Sequence, residues 1–374
     1  MITDALNVAA GFEPTSMATW VVSPYLQIVH LSDDELLVKH GGRSQLSEII
    51  KDEERSGLLG KVVRKLRAPA SVDALIATGL VDECRRAEVV ALVDYLVRAN
   101  VLIKPDAYLP HAYLSLRFGA SADRVGRQRI GFVGSGPLGS RIAREIARLN
   151  PAEILLLDDR RATIADRAFF DFAPIAVELD ATLAEITERV LIRDEGARGR
   201  VVPGPLDGKR ALAQLFGASD LVVVALESTA PQVLHAVNQV ALELGKPWLS
   251  VYFDGSEAFI GPLYHPGESP CYNEREIQHE ATFGLRDDYY LYKDQQTVAD
   301  LAARHFVLPP YLSVASGWAA TAAIAFLTGG GSFVESQCVR VDFERLSVDY
   351  EHILKLPRCP ACRDLRPAYR NTFL

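Results

Sequence analysis

Cysteine is scarce in this sequence: five residues in 374, an odd number, with only Cys359 and Cys362 close together. A disulfide-stapled scaffold is thereby excluded, and reduced thiols in a cytoplasmic protein are expected. Long apolar runs are missing too. None reaches the roughly 18 uninterrupted residues of a bilayer span, so no membrane partner is expected. The opening residues carry Asp4 and Glu13 and lack both the basic start and the apolar core of a secretion signal. Positive charge is not in excess, with 40 Lys and Arg against 48 Asp and Glu, a formal net charge of −8. That balance argues against a nucleic-acid partner, whose phosphates call for clustered cations. What is present is a chain 49% hydrophobic and 24% charged, ordinary for a globular protein and long enough for two or three domains.

The front of the chain alternates like a small sheet. Tyr25 to His30 and Glu35 to Lys39 read as strands around a Ser32-Asp33-Asp34 turn. Gly41-Gly42 then leads into Arg43 to Ile49, read as a third, edge strand. From Ser56 the period becomes helical: Leu58, Leu59, Val62, Val63 and Leu66 share a face, and Pro69 ends the run. Ser71 caps a second helix closed by Gly79, and a third, from about Arg85, carries Val89, Leu92, Val93, Leu96 and Val97 on one face. Residues 1–105 thus outline a winged-helix-like module, and 106–128, with Pro110 and several glycines, read as a linker.

Residues 129–335 carry the strongest local signal. The apolar strand Arg129 to Val133 runs into Gly134-Ser135-Gly136-Pro137-Leu138-Gly139 and a helix, and a second strand, Glu153 to Leu157, ends at Asp158. Glycines permit a tight turn and close approach of a phosphate to a helix amino terminus, and the following acid can accept from ribose hydroxyls. An α/β, Rossmann-like domain is expected, with Leu221 to Leu226 and Pro247 to Phe253 as further buried strands.

In their order these features resemble the E1-like, ThiF-related leader peptide-binding partner proteins of thiazole/oxazole-modified peptide cyclodehydratases. The residues that carry the resemblance are the glycine loop, Asp220 to Ser228, Gly245-Lys246-Pro247-Trp248, Gly261-Pro262, Pro266-Gly267 with Cys271, and Leu356 to Cys362. The resemblance implies a PqqD-like peptide-recognition element in front of an E1/ThiF-type body, with 336–374 as a carboxy-terminal extension. It also implies a division of labour. This chain would bind the leader of a ribosomal precursor peptide and dock a separate YcaO-type enzyme that forms azolines. A flavin-dependent azoline dehydrogenase would be a further partner, and the chain would pair as a homodimer.

Each site has a competing reading. A winged module could bind DNA, but residues 1–105 hold 12 Lys and Arg against 14 Asp and Glu, and the third helix has no basic stripe. Peptide capture fits better: an edge strand offers unpaired backbone groups that an extended peptide satisfies by strand addition. On that reading Arg43, Ser44, Gln45, Leu46, Ser47, Glu48 and Ile49 supply the backbone, and Val89, Leu92, Val93 and Leu96 line the groove. For nucleotide binding the candidates are Gly134, Gly136, Gly139, Asp158 and Glu227. Adenylation needs cations and a metal-holding acid, yet the chain has no lysine between Lys104 and Lys209, and the later strand offers only Glu227. Arg160, Arg161 and Arg167 could touch a phosphate. ATP is therefore not expected in this chain, and the expected role is non-catalytic; the alternative is an ATP-dependent peptide-adenylating enzyme of the microcin C type. A nicotinamide oxidoreductase is disfavoured because His265, His279, His305 and His352 sit in no recognisable catalytic setting.

Cys359 and Cys362 form half of a zinc knuckle. The resemblance implies an earlier cysteine pair as its partner, of which only Cys271 is kept. Structural zinc would be held by Cys271, Cys359, Cys362 and a fourth ligand among Glu274, His279 and Cys338, against a metal-free pair of reduced cysteines.

Overall fold

The computed structural model describes residues 18–171, 180–282, 284, 286–295, 307–329 and 331–365; the amino-terminal segment with Asp4 and Glu13, and His305, lie outside them. The chain divides into two compact units, Met1–Ala122 and Asp123–Leu374.

The first unit holds β1 (Thr19–Val22), β2 (Gln27–His30), β3 (Glu35–Lys39), β4 (Ser47–Lys51), α1 (Leu58–Lys65), β5 (Ala70–Ser71), α2 (Val72–Ala77), α3 (Arg86–Arg98), β6 (Leu102–Ile103) and α4 (Leu109–Phe118). The hairpin β2–β3 turns where Ser32 Oγ accepts from the Asp34 N–H. Among the described residues, strand β4 pairs with β3 only and is an edge of the sheet β2-β3-β4. It starts at Ser47, later than the sequence suggests. Ser44 N–H donates to the Gly41 carbonyl and Ser44 Oγ accepts from the Leu46 N–H, so local side-chain bonding keeps Arg43 to Leu46 in a loop. A second sheet, β5-β1-β6, has no counterpart in the sequence pattern. Nor is 106–128 featureless. Pro110, which suggests a loop, sits in the first turn of α4, where its missing N–H costs nothing.

The second unit contains β7 (Arg129–Val133), α5 (Pro137–Ala147), β8 (Glu153–Leu157), α6 (Leu183–Glu195), β9 (Gly199–Val201), α7 (Lys209–Ala218), β10 (Leu221–Leu226), α8 (Pro231–Leu244), β11 (Trp248–Asp254), β12 (Glu257–Tyr264), α9 (Tyr272–Thr282), α10 (Arg286–Gln295), α11 (Pro309–Leu327), β13 (Gln337–Asp342) and β14 (Ser347–His352). One mixed sheet runs through it in the order β14-β13-β12-β11-β10-β7-β8-β9. The five strands from β9 to β11 are parallel and the rest antiparallel. Every residue of β10 is buried, which is why its sequence is a continuous apolar run rather than an alternation. Within the expected carboxy-terminal extension, β13 and β14 are part of this sheet. Helix α11 is long and apolar enough to cross a bilayer by length and composition alone. Here it packs against α5 and β12, burying Leu312, Ala315, Ala319, Ala322 and Ala323.

Candidate functional site

Strand order reverses at β7: the chain builds outward to β8 and β9, then returns to lay β10 and β11 on the other side. In such sheets the crevice beyond the carboxyl ends of the strands at the reversal is the ligand site. The glycine loop follows β7, Asp158 follows β8 and Glu227 follows β10, so topology brings together every nucleotide-site candidate.

Two of the three glycines serve packing. A Cβ on Gly134, at φ +90°, or on Gly139 would run into the backbone carbonyl of Ala225 or of Gly134, respectively. Gly136 is different, since a Cβ there would meet the Glu227 carboxylate. Glu227 Oε1 accepts from the Leu138 N–H in the first turn of α5 at 3.1 Å, while Asp158 Oδ2 accepts from the Ser135 N–H at 2.7 Å. Between the carboxylates lies Arg160. Its Nε and Nη2 donate to Asp158 Oδ1 and Oδ2 at 2.9 and 2.7 Å, and Nη1 and Nη2 lie 3.4 Å from Glu227 Oε2. Asp158 and Glu227 are both buried. Burial alone would lower the Arg160 pKa, but Asp158 and then Glu227 outweigh it and raise it above the ordinary guanidinium value. Arg161 instead donates to the Asp180 carbonyl.

A second cluster joins the start of α9 to the carboxy-terminal turn. Cys271, Glu274, Cys359 and Cys362 are buried, and their ligand atoms lie within 4.8 Å of one another. Cys271 Sγ is 3.7 Å from Cys359 Sγ, and Cys362 Sγ is 3.4 Å from Glu274 Oε2. A tetrahedral ion with metal–sulfur bonds of about 2.3 Å and a metal–oxygen bond of about 2.0 Å requires separations of about 3.8 and 3.5 Å. The donor set therefore fits a metal ion. Backbone donors fix the Glu274 carboxylate in the cluster, where Oε2 accepts from the Cys271 N–H and Oε1 from the Leu356 N–H. Without an ion, burial pushes the Cys271 thiol up to about 11 and raises Cys362 as well. Burial would also raise Cys359, but the Ala361 N–H and the Asn273 amide bring it below the usual thiol value. Among the three fourth-ligand candidates, Glu274 is the one in the cluster. Cys338 lies instead 3.9 Å from Arg275 Nη2.

The residues expected to capture a peptide divide. Ser47, Glu48 and Ile49 lie on edge strand β4, and Arg43, Ser44, Gln45 and Leu46 in the loop before it. Leu46 and Ile49 are half exposed, at 50% and 49%. Val89, Val93 and Leu96 are fully buried in the unit's own core and cannot line a groove; Leu92 is partly open. A helical apolar face cannot both build the core and stay available, and three of these four residues went to the core.

The sequence does not reveal the pairing of Arg160 with Asp158 and Glu227. Its only signal is a basic residue directly after two acids, a pattern common on solvated loops.

The ThiF family model matches residues 110–363, more than half of the chain. No curated protein matches the sequence. Among solved structures, E. coli MccB with ATP aligns at a TM-score of 0.61 and 16% identity, covering 92% of this chain and 99% of that one. The microcin C7 biosynthetic enzyme MccB in complex with N-formylated MccA aligns with the same values. A heterocyclase in complex with substrate and cofactor aligns at 0.56 and 14% identity over 92% of this chain and 39% of that one. At these identities the likeness is one of fold.

Proposed function

The chain belongs to the ThiF family, and from that premise we propose that it is the peptide-recruiting partner of a YcaO-type, azoline-forming cyclodehydratase. The open edge of β4, with half-exposed Ile49 on the strand and half-exposed Leu46 just before it, carries this reading, because an extended leader peptide would complete that sheet. In this role the first unit acts as a winged, PqqD-like element and holds the precursor, while the E1-like unit docks the enzyme. Binding free energy spent on the leader raises the effective concentration of the core peptide at the partner's active site, so the chain accelerates modification without performing it. A flavin-dependent azoline dehydrogenase would act afterwards on the product.

The ion in the Cys271, Glu274, Cys359 and Cys362 cluster is zinc on this reading: three soft thiolates and one carboxylate suit it, and a full ligand set leaves no position for substrate. Reduced, metal-binding thiols fit the cytoplasm, and an E1-like body fits a homodimer.

A second reading, ATP-dependent peptide adenylation, draws on the likeness to MccB, which has been solved with ATP. Fluorescence-anisotropy titration with the leader of a precursor peptide encoded beside this protein, with and without magnesium and ATP, separates the two. Recruitment requires saturable, ATP-independent binding. Pyrophosphate release by the chain alone would establish the second reading instead.

A further inference from the structure

We propose that Glu227 is the resident occupant of the anion site at the amino terminus of α5, locked in place by Arg160, and that this pairing keeps polyphosphates out of the glycine loop. A phosphate at a helix amino terminus needs two things: a glycine where it approaches the backbone, and N–H groups of the first turn. Glu227 uses both. Its carboxylate fills the space over Gly136 and accepts from the Leu138 N–H at 3.1 Å. Asp158 takes the Ser135 N–H in the same way. The two anions share one guanidinium from inside the fold, held at 2.7 Å by Asp158 and at 3.4 Å by Glu227. Nothing in this arrangement needs a ligand.

A polyphosphate would have to enter against two buried carboxylates while Arg160, the cation bonded to both, is already engaged. The loop nevertheless keeps a donor that the internal anions leave unused. Ser135 Oγ is buried, its residue 1% exposed, and has no hydrogen-bond partner among the described residues. A cradle with a spare donor, filled by a side chain of its own, is a ligand site closed by substitution rather than one that was never formed.

The self-filled loop rests on the non-catalytic role proposed above but can fail without it, because leader binding is read separately on the same proteins. The probes are magnesium-ATP and inorganic pyrophosphate, titrated by calorimetry into the full-length wild type, E227A and, should E227A not fold, E227D, whose shorter side chain withdraws from Leu138. The wild type should show no saturable binding. The folded variant should bind at least one probe about tenfold more tightly or better, with leader affinity unchanged. Wild-type binding as tight as the variant's would overturn the proposal, and so would a folded variant that gains nothing.

Discussion

Cys271 Sγ and Cys359 Sγ lie 3.7 Å apart although 88 residues separate them in the chain. That closeness fastens the carboxy-terminal turn to the start of α9 and, with Glu274 and Cys362, sets the distances of a tetrahedral ion. Purified protein should contain about one zinc per chain by mass spectrometry. Cys359→Ser should lose most of it, and chelation should lower the unfolding temperature of the wild type but not of the variant. Glu274→Cys should retain the metal, because a fourth thiolate completes the set. A metal-free wild type that is indifferent to chelator would remove zinc from the cluster.

Edge strand β4 supplies the second prediction. The double substitution Leu46→Asp and Ile49→Asp places charge on half-exposed apolar positions that carry little of the fold. Leader affinity should drop about tenfold or more, in line with losing the burial of an aliphatic side chain, while circular dichroism stays unchanged. Val93→Asp is the contrasting case, since Val93 is fully buried and its substitution should unfold the first unit rather than weaken binding alone. Unaltered affinity in the folded double variant would place the peptide elsewhere.

The second unit is the more legible part of the chain, and the reason is physical. Fully buried parallel strands such as Leu221–Leu226 leave continuous apolar runs, and a glycine loop between strand and helix has few other uses. The ends of β4 are not legible, because Ser44 diverts the backbone by bonding its neighbours, a choice that periodicity does not record. The candidate metal ligands are readable down to three cysteines and a short set of choices for the fourth; settling on Glu274 requires knowing that the Leu356 N–H orients its carboxylate. Arg160 is out of reach, since nothing local distinguishes an arginine that folds inward between two carboxylates from one that points to water.

Three histidines, His30, His235 and His279, give the pH dependence a sign. Burial lowers the pKa of His30, that of His235, which stands edge-on to Tyr272, and that of His279, below the ordinary 6.5. The unfolded chain therefore takes up protons near pH 6.5 that the folded chain refuses until lower pH. Their contribution to stability is whole above that value and is lost as pH falls through the interval below it. Denaturant midpoints measured from about pH 7.5 down to about 5 should decline, and His235→Phe should flatten the decline. An unchanged slope in the variant would mean that other groups govern acid sensitivity.

Arg160 provides the sharpest stability test, because it is the cation between two buried carboxylates. Arg160→Ala leaves buried Asp158 and Glu227 without their shared cation, and loss of one member of a buried ionic cluster costs about 3–5 kcal/mol. Glu227→Ala alone should cost less, since Arg160 keeps its shorter bonds to Asp158. The double variant then decides whether the three act as a unit. If they do, it should be more stable than the sum of the single losses allows, by a coupling of about 0.5–3 kcal/mol in urea denaturation. Strict additivity would show that Arg160 merely covers the carboxylates, and the self-filled glycine loop would lose its electrostatic basis.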